Sequence, residues 1–247
     1  MGGTEIVGGA VHRVTGRWTP AVHALLRHLD DVAFAGAPRV VGFDDAGREV
    51  LTFLPSESSS RREAPTTDSA LAALGRLIRA YHDAVASFQP PEGAVWRLGG
   101  EPLSGTIVCH NDINPGNVVY RGGLPYGFID WDLAGPAPPV HDLARACILF
   151  LPLLPDDVCL AWGFHSPPDR ARRLSLLRDA YGLDASIDLL AEIDALERLD
   201  LERLETLGCE GVSPYGRFLA TGSAEAGERD LAWLEENRDT LAAALTD

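Results

Sequence analysis

Apolar and polar residues alternate near the N-terminus of this 247-residue chain, with the period of two that half-buried strands show. Residues 4–14 contain two such runs on either side of Gly8-Gly9. Residues 38–53 contain two more runs around a turn that ends at Gly47. A short Gly-containing connection between alternating runs is a strong hairpin signal. The pattern therefore predicts two β-hairpins in the first fifth of the chain.

The period changes to that of an α-helix in most of the remaining sequence. A first helix is predicted between the two hairpins, with Thr19 as its cap and Pro20 in its first turn. A long helix is predicted over residues 68–88, capped by Thr67 or Asp68. Further helices are predicted from Asp142, from Asp169 to Gly182, over residues 186–207 and within residues 213–245.

A segment in the middle of the chain interrupts the helical pattern and concentrates polar residues. A loop presents a carboxylate, Asp112, and an amide, Asn117, five residues apart. Two short strands joined by Gly122-Gly123 follow, and the second delivers another carboxylate, Asp130. Because a hairpin brings its ends together, we expect Asp130 to lie near Asn117. Oxygen ligands of this kind suit Mg²⁺, and Asp112 remains free to accept a proton, as in a phosphotransferase.

The sequence strings of this segment are similar to those of a known family. Residues 110–117 read H-N-D-I-N-P-G-N, residues 129–132 read I-D-W-D, and D-L-A follows at residues 142–144. The order and spacing of these blocks resemble the catalytic and metal-binding motifs of the aminoglycoside phosphotransferase and choline kinase families. These families are small-molecule relatives of the protein kinases. The similarity is specific over residues 105–150 and thinner elsewhere.

The resemblance implies an α+β, protein-kinase-like fold of two lobes, with a reduced β small lobe and a helix-rich large lobe. Residues 1–55 would form the small lobe and residues 56–67 the connection between the lobes. Residues 68–247 would form the large lobe, with the catalytic loop and the acceptor pocket. The backbone near Leu54, at the end of the last small-lobe strand, would bind the adenine edge of a nucleotide.

The same resemblance implies roles for the three polar residues of the central segment. Asp112 would be the catalytic group that accepts the proton of the acceptor hydroxyl or orients that hydroxyl. Asn117 and Asp130 would hold the Mg²⁺ ion that binds the nucleotide phosphates.

The predicted small lobe departs from the family pattern. The chain contains no lysine, so the strand lysine with which kinases hold the nucleotide phosphates is absent. Arg13 lies on the corresponding strand and is our candidate phosphate contact, with an exposed arginine on an edge strand as the alternative. The helix position that carries the partner glutamate in related kinases is Val22, beside His23. We therefore expect both halves of the usual ion pair to be missing, and Gly2-Gly3 is a candidate remnant of the Gly-rich lid.

Other polar residues near the motifs are interpreted as structural. His110 is predicted to brace the catalytic loop by hydrogen bonds, and Asp142 to cap its helix or to tie back to catalytic-loop amides. His82 is predicted to pack within the protein. The acids between Glu192 and Glu205 are interpreted as a solvated helix face, with a pocket for an aminated substrate as the alternative.

Composition and charge exclude several classes of function. A net charge of −15 argues against nucleic acid as a partner and is compatible with a cationic small substrate. The sequence has no run of 18 or more apolar residues, so no membrane span is predicted. No secretory signal is evident, so a cytoplasmic location is expected. The four cysteines are scattered without the spacing of a zinc site or a disulfide framework.

The function predicted from these observations is transfer of the γ-phosphoryl group of ATP to a hydroxyl of a small molecule. The resemblance favours an aminoglycoside-like antibiotic as acceptor, while choline-like, sugar and amino-alcohol acceptors and GTP as donor stay open. The alternative is a catalytically weak or inactive kinase-like module that binds a nucleotide or metabolite, which the missing lysine, helix glutamate and lid favour. A metal-dependent phosphoesterase is disfavoured because no His-rich two-metal cluster is visible.

Overall fold

The computed structural model describes residues 4–57, 67–100, 103–162, 164–211 and 215–246. Most of the predicted inter-lobe connection, and the Gly2-Gly3 pair, lie outside these residues. The described residues form two parts, a small antiparallel sheet with one helix and a larger helical part, so the α+β fold class with two lobes is confirmed. No helix in the described part of the chain is both long and apolar enough to cross a membrane.

The small lobe is a four-stranded antiparallel sheet that carries one helix. Its elements are β1 (Glu5–Val7), β2 (Ala10–Arg13), α1 (Thr19–Asp31), β3 (Val40–Phe43) and β4 (Glu49–Thr52). The strand order is β1-β2-β4-β3, and Gly8 and Gly9 form the first turn with φ values of 59° and 81°. Both predicted hairpins are confirmed, because alternation and glycine turns are local signals that the sheet keeps.

Helix α1 begins where the sequence predicts it, but its cap was assigned to the wrong residue. Trp18 is the N-cap residue and makes no side-chain cap bond. The hydroxyl of Thr19 instead accepts a hydrogen bond from the backbone N–H of Gly16, at 2.9 Å. Pro20 occupies the first turn as predicted, since a residue without an N–H costs little there.

The large lobe contains the other helices and two pairs of antiparallel strands around the catalytic segment. Its elements are α2 (Asp68–Val85), β5 (Ile107–Cys109), β6 (Val118–Arg121), β7 (Leu124–Phe128), a 3₁₀ turn (Trp131–Leu133), β8 (Gly135–Ala137), α3 (Val140–Phe150), α4 (Asp156–Ala161), α5 (Arg170–Tyr181), α6 (Leu189–Cys209), α7 (Tyr215–Ala220) and α8 (Ser223–Thr246). Strands β6 and β7 form the predicted hairpin, and β5 pairs with β8.

The segment after the catalytic motif differs from the prediction at two points. Residues 135–137, for which the sequence analysis predicts no strand or helix, form β8, which pairs with β5 so that Pro136 lies opposite Val108. A proline fits this two-stranded pair because such a ladder has an open edge that needs no N–H donor. Helix α3 begins at Val140, two residues before the predicted Asp142, which leaves the Asp142 carboxylate for another role.

The two lobes are joined by a close backbone contact as well as by the chain. The N–H of Phe128 in β7 donates to the carbonyl of Gly36, in the loop after α1, at 2.7 Å. A Cβ atom on Gly127 would lie 2.8 Å from that same carbonyl oxygen. Only glycine allows the loop after α1 to approach β7 this closely, so Gly127 fixes the position of the small lobe over the catalytic hairpin.

A buried aromatic cluster supports the catalytic segment from below. Tyr81 of α2 lies at its centre, with ring centroids 5.1 Å from Trp131 and 6.2 Å from Phe128. All three side chains are at most 1% exposed. The Tyr81 hydroxyl donates to the carbonyl of Val108 at 2.5 Å, which ties α2 to the strand that leads into the catalytic loop.

Candidate active site

The catalytic loop is held by the carboxylate of Asp142, which is completely buried. One oxygen accepts the backbone N–H of His110 and the other accepts that of Asn111, each at 2.8 Å. The Nε2 of His82 lies 3.1 Å from the same carboxylate. Burial raises the pKa of Asp142, but the hydrogen bond and charge of His82, together with the hydrogen bond from the His110 backbone, lower it by more, so the pKa lies below its usual range. The prediction that Asp142 ties back to catalytic-loop amides is confirmed.

His82, Cys109 and Asp142 together resemble a metal-ligand cluster that the sequence did not indicate, since their ligand atoms lie within 4.8 Å of one another. Each of these atoms already has a hydrogen-bond partner. His82 Nδ1 lies 2.8 Å from the Tyr181 hydroxyl, and the Cys109 thiol donates to the carbonyl of Ala137. Burial also raises the pKa of the Cys109 thiol well above its ordinary value, which disfavours the thiolate that a metal needs. The cluster is a structural network, and the packing role predicted for His82 is confirmed.

His110 braces the loop as predicted. Its Nε2 lies 3.1 Å from the carbonyl of Ile129, so the ring connects the catalytic loop to the segment that carries Asp130. Its ring centroid is 4.6 Å from that of Trp131. Burial lowers the pKa of His110 more than the nearby carboxylates raise it, which favours the neutral ring that this packed position requires.

Two asparagine amides fix the orientation of the Asp112 carboxylate. Asn114 Nδ2 donates to one oxygen at 2.9 Å, and Asn117 Nδ2 donates to the other at 2.7 Å. Burial raises the pKa of Asp112, and the two amides partly offset that increase. Sequence reasoning missed Asn114, although its spacing of two residues from Asp112 is that of a local side-chain contact.

The amide of Asn117 is oriented so that its oxygen is available to a cation. Its nitrogen donates to both the side chain and the backbone carbonyl of Asp112, and no described residue donates to its Oδ1. The Ile129 N–H donates to the Asn117 carbonyl at 2.9 Å, which closes the hairpin and brings Asp130 to the same end. Asp130 adopts φ 62° and its side chain is 51% exposed. An amide oxygen and a half-exposed carboxylate on one wall are the ligand types that Mg²⁺ accepts, so these residues fit the metal.

A cleft of about 300 Å³ lies between the lobes. It contains four of the five residues predicted for the site: Arg13, Leu54, Asn117 and Asp130. The other wall residues are mostly apolar and come from both lobes, namely Thr4, Ile6, Val11, Pro38, Leu51, Thr52, Phe53, Gly116 and Ile129. An apolar cleft with a few polar groups at one end is the usual form of a small-ligand site.

Arg13 points into this cleft and contacts carboxylates from both lobes. Its guanidinium lies 3.1 Å from Glu49 and 3.0 Å from Asp130, and it also contacts Asp132. The alternative of an exposed arginine on an edge strand is wrong, because β2 is an inner strand and the side chain is 13% exposed. Burial lowers the pKa of Arg13, but the three carboxylates raise it by more. The pKa therefore lies above its usual value, and the guanidinium stays charged.

The lysine and the helix glutamate of the usual small-lobe ion pair are both absent, as expected, since the chain has no lysine and α1 has no glutamate. A different ion pair forms between two strands, because β2 and β4 pair with Arg13 directly opposite Glu49. Helix α1 still participates, since His23 Nε2 lies 2.8 Å from the second oxygen of Glu49. No local feature of the sequence indicates this pair, because it depends on which strands are neighbours in the sheet.

Asp132 is a further site residue that the sequence did not assign. Its carboxylate contacts Arg13 and lies 3.2 Å from Arg97. It also accepts a hydrogen bond from the Trp18 side chain. The Arg97 guanidinium stacks over the Trp18 ring at 4.6 Å, which joins the large lobe to the start of α1. Burial raises the pKa of Asp132, and the charge of Arg13 offsets part of that increase.

The acidic helix α6 is only partly solvated. Its outer face follows the prediction, with Glu202 and Glu205 exposed. Asp200 instead forms an ion pair with Arg145 of α3 at 3.1 Å. Glu197 is half-buried, and burial, followed by the charges of nearby acids, raises its pKa to about 7. Part of α6 therefore faces the interior beside the catalytic loop.

A two-lobed fold with a cleft between the lobes and a loop-held carboxylate beneath it defines the class of kinase-like phosphotransferases. A sequence profile of the Phosphotransferase enzyme family matches residues 95–176. The chain is also 43% identical over 251 residues to the trifolitoxin immunity protein of Rhizobium leguminosarum bv. trifolii, covering 96% of this chain and 93% of that protein. The chain belongs to the phosphotransferase enzyme family and is a small-molecule phosphotransferase.

Solved structures support the same fold at low sequence identity. A putative aminoglycoside phosphotransferase from Ralstonia eutropha superposes with a TM-score of 0.61 at 13% identity, covering 94% of this chain and 88% of that one. A choline/ethanolamine kinase family protein from Mesorhizobium loti superposes with a TM-score of 0.55 at 18% identity, covering 100% and 93%. An amicoumacin kinase superposes with a TM-score of 0.60 at 12% identity, covering 82% and 80%.

Proposed function

We propose that this protein transfers the γ-phosphoryl group of ATP to a hydroxyl of a small toxin or antibiotic. The observation that carries the proposal is the setting of Asp112. Its carboxylate is fixed by two amides at 2.9 and 2.7 Å, and the second amide, Asn117, also lines the inter-lobe cleft. One side chain thus connects the proton acceptor to the nucleotide site. This is the arrangement that phosphoryl transfer to an alcohol requires.

The proposed reaction assigns one task to each group of the chain. Asp112 accepts the proton of the hydroxyl as the oxygen forms its bond to the γ-phosphorus, and the bond to the bridging oxygen of ADP breaks. Asn114 and Asn117 hold the carboxylate toward the acceptor, and neutral His110 keeps the loop in place. Asn117 Oδ1 and Asp130 would hold Mg²⁺, which offsets charge on the transferred group when it is bound. Arg13 is the proposed phosphate contact, and the backbone near Leu54 the proposed contact of the base.

The choice of acceptor rests on the relatives. The 43% identical protein carries the name of an immunity protein against a toxin, and several neighbours with the same fold are solved with antibiotics or named for them. A hydroxylated toxin or antibiotic, with an aminoglycoside-like compound first among the candidates, is therefore the proposed acceptor. The neighbours solved with ATP and with AMP-PNP support ATP as donor. A cytoplasmic location is part of the proposal.

The test is a transfer assay with ATP or GTP as donor, Mg²⁺, and a panel of hydroxylated aminoglycosides, choline-like amines, sugars and peptide toxins. We expect ADP formation that depends on one acceptor class, with phosphate recovered on that acceptor by mass spectrometry. Asn117→Ala should lose this acceptor-dependent ADP formation, because it removes the amide that contacts Asp112 and lines the cleft. Binding of ATP without transfer to any acceptor on the panel would contradict the proposal.

A second candidate function, a module that binds a nucleotide without transferring phosphate, is favoured by one observation. All three guanidinium nitrogens of Arg13 contact carboxylates, of Glu49, Asp130 and Asp132. An arginine so engaged is a weak phosphate ligand unless a contact is released. The transfer assay separates the two candidates, because a binding module responds to ATP and leaves every acceptor unchanged.

A further inference from the structure

Arg13 is held by carboxylates on every side of its guanidinium group. Nε lies 3.1 Å from Glu49 Oε1, Nη1 lies 3.0 Å from Asp130 Oδ1, and Nη2 contacts Asp132 Oδ1. Acids thus contact all three nitrogens, and three carboxylates surround a single positive charge. This excess of negative charge repels a nucleotide phosphate from Arg13 unless one of the carboxylates changes its partner.

The three carboxylates differ in how firmly they are held. Glu49 is 3% exposed and also bonded to His23. Asp132 is 22% exposed and has two further partners. Asp130 is 51% exposed, and Arg13 is its one ionic partner within the described residues. An ion pair with an exposed partner contributes little to stability, so Asp130 is the carboxylate that can exchange its partner.

We propose that Arg13 is the resident cation of the metal site and exchanges with the divalent ion when nucleotide binds. In the free protein, Nη1 of Arg13 neutralises Asp130. In the loaded protein, Asp130 passes to the metal, and the released Nη1 arm turns to the nucleotide phosphates while Glu49 and Asp132 keep the rest of the group in place. The inference rests on the proposed function, which makes Asp130 a metal ligand.

The physical basis is repulsion between two cations that share one carboxylate. In a half-buried cleft, screening is weaker than in bulk water, so Arg13 opposes a divalent ion that arrives alone. A triphosphate supplies negative charge to both cations and removes the conflict. The metal and the nucleotide should therefore bind with positive coupling, each raising the affinity of the other.

The test compares binding of Mn²⁺ without nucleotide, followed by electron paramagnetic resonance, in the wild type and in Arg13→Gln. We expect Arg13→Gln to bind Mn²⁺ about tenfold more tightly, because a competing positive charge is gone. The same variant should bind ATP more weakly in the presence of Mg²⁺. Opposite changes in the two affinities are a result that simple loss of a phosphate contact does not produce.

Arg48→Gln is the matched control. It removes the same charge from the same lobe, but Arg48 pairs with Glu5 and Asp44, away from the cleft wall. We expect its Mn²⁺ affinity to equal that of the wild type.

Arg13→Lys is the second variant in case Arg13→Gln does not fold, with folding checked by thermal unfolding in circular dichroism. A single ammonium keeps the charge but cannot reach three carboxylates at once, so we expect Mn²⁺ affinity to rise about threefold. If both variants bind Mn²⁺ no better than the wild type while Asp130→Asn abolishes binding, the metal site stands and the exchange is wrong. If Mn²⁺ binds to none of these proteins even with ATP, the proposed metal site fails and the exchange with it.

Discussion

Asp142 and Asp130 are both acids of the catalytic segment, yet the fold treats them in opposite ways. Asp142 is fully buried and accepts two backbone amides and a histidine, all within the large lobe. Asp130 is half exposed and pairs with one arginine that comes from the small lobe. The partners of the first carboxylate all lie in its own lobe, whereas the second carboxylate pairs with a residue across the cleft.

This difference indicates that Asp142 has a structural role and that Asp130 is available to bind a ligand. Buried acceptors whose donors are backbone amides cannot change partner without leaving those amides unpaired. An exposed carboxylate with one ionic partner can change it at small cost, because water and salt compete for the pair. A burial and hydrogen-bond comparison thus separates two acids that the sequence places only twelve residues apart.

The largest effect on stability should come from Asp142→Asn. The amide that replaces the carboxylate turns an N–H₂ group toward a backbone N–H and removes the charge that faces His82. We expect a loss of about 3–5 kcal/mol, the usual cost of removing a buried charge from partners that then lie unpaired. Urea unfolding followed by tryptophan fluorescence measures it.

Asp130→Asn is the control for that change, since it makes the same substitution in the same segment. Its free energy of unfolding should fall by about 1 kcal/mol or less, as for an exposed ion pair. Equal losses for the two variants would remove the distinction between scaffold and exchangeable acid.

A smaller effect is expected from pH at Glu197, a half-buried acid to which none of the described residues donates a hydrogen bond. Burial raises its folded-state pKa to about 7, above the 4.5 of the unfolded chain. Between these values the folded protein keeps a proton that the unfolded chain has lost, so this group makes stability fall as pH rises through that window. The stability of Glu197→Gln should equal that of the wild type near pH 4.5 and exceed it at pH 8.

Thermal unfolding at the two pH values provides this comparison. Asp230 has a pKa raised to about 6, mainly by burial, and leaves part of the pH dependence in the variant. A wild type and a Glu197→Gln variant with parallel pH profiles would show that Glu197 ionises normally in the folded protein.

The smallest effect should come from Tyr181→Phe, which tests how far the Asp142 network extends. The Tyr181 hydroxyl lies 2.8 Å from His82, while its ring packs under the Arg79 guanidinium at 4.5 Å. Removing only the hydroxyl should cost about 1 kcal/mol, the net value of one hydrogen bond. Tyr126→Phe, which removes a more exposed hydroxyl bonded to the carbonyl of Pro55, is the matched control and should cost less.

Local signals predicted much of the fold and the core of the site. The hairpins, the cap of α2 and the end of α5 at Gly182 follow from alternation, cap chemistry and a left-handed glycine. The motif spacing predicted that the hairpin would bring Asn117 and Asp130 to the same end, and both line the cleft. Such features depend on neighbours within a few residues, which is why a single sequence contains them.

Contacts between residues that are far apart in the chain could not be predicted from the sequence. Glu49 meets Arg13 only because β2 and β4 are neighbours in the sheet, and nothing local indicates that pairing. Strand β8 was not predicted because proline is uncommon within strands and because its partner strand lies 28 residues earlier in the chain. Asp132 and Arg97 also meet across 35 residues of chain. Each of these depends on tertiary contacts, which override local propensity.

The central claim, that Asp112 accepts the hydroxyl proton beside a separate nucleotide site, is tested most directly by one pair of measurements on Asp112→Asn. With the acceptor identified on the panel, single-turnover transfer and ATP affinity by calorimetry are compared with the wild type. We predict that turnover falls by about 10²–10⁴-fold, as for loss of a positioned base, while ATP affinity stays within about twofold. Unchanged turnover in a variant that binds ATP normally would contradict the assignment of Asp112.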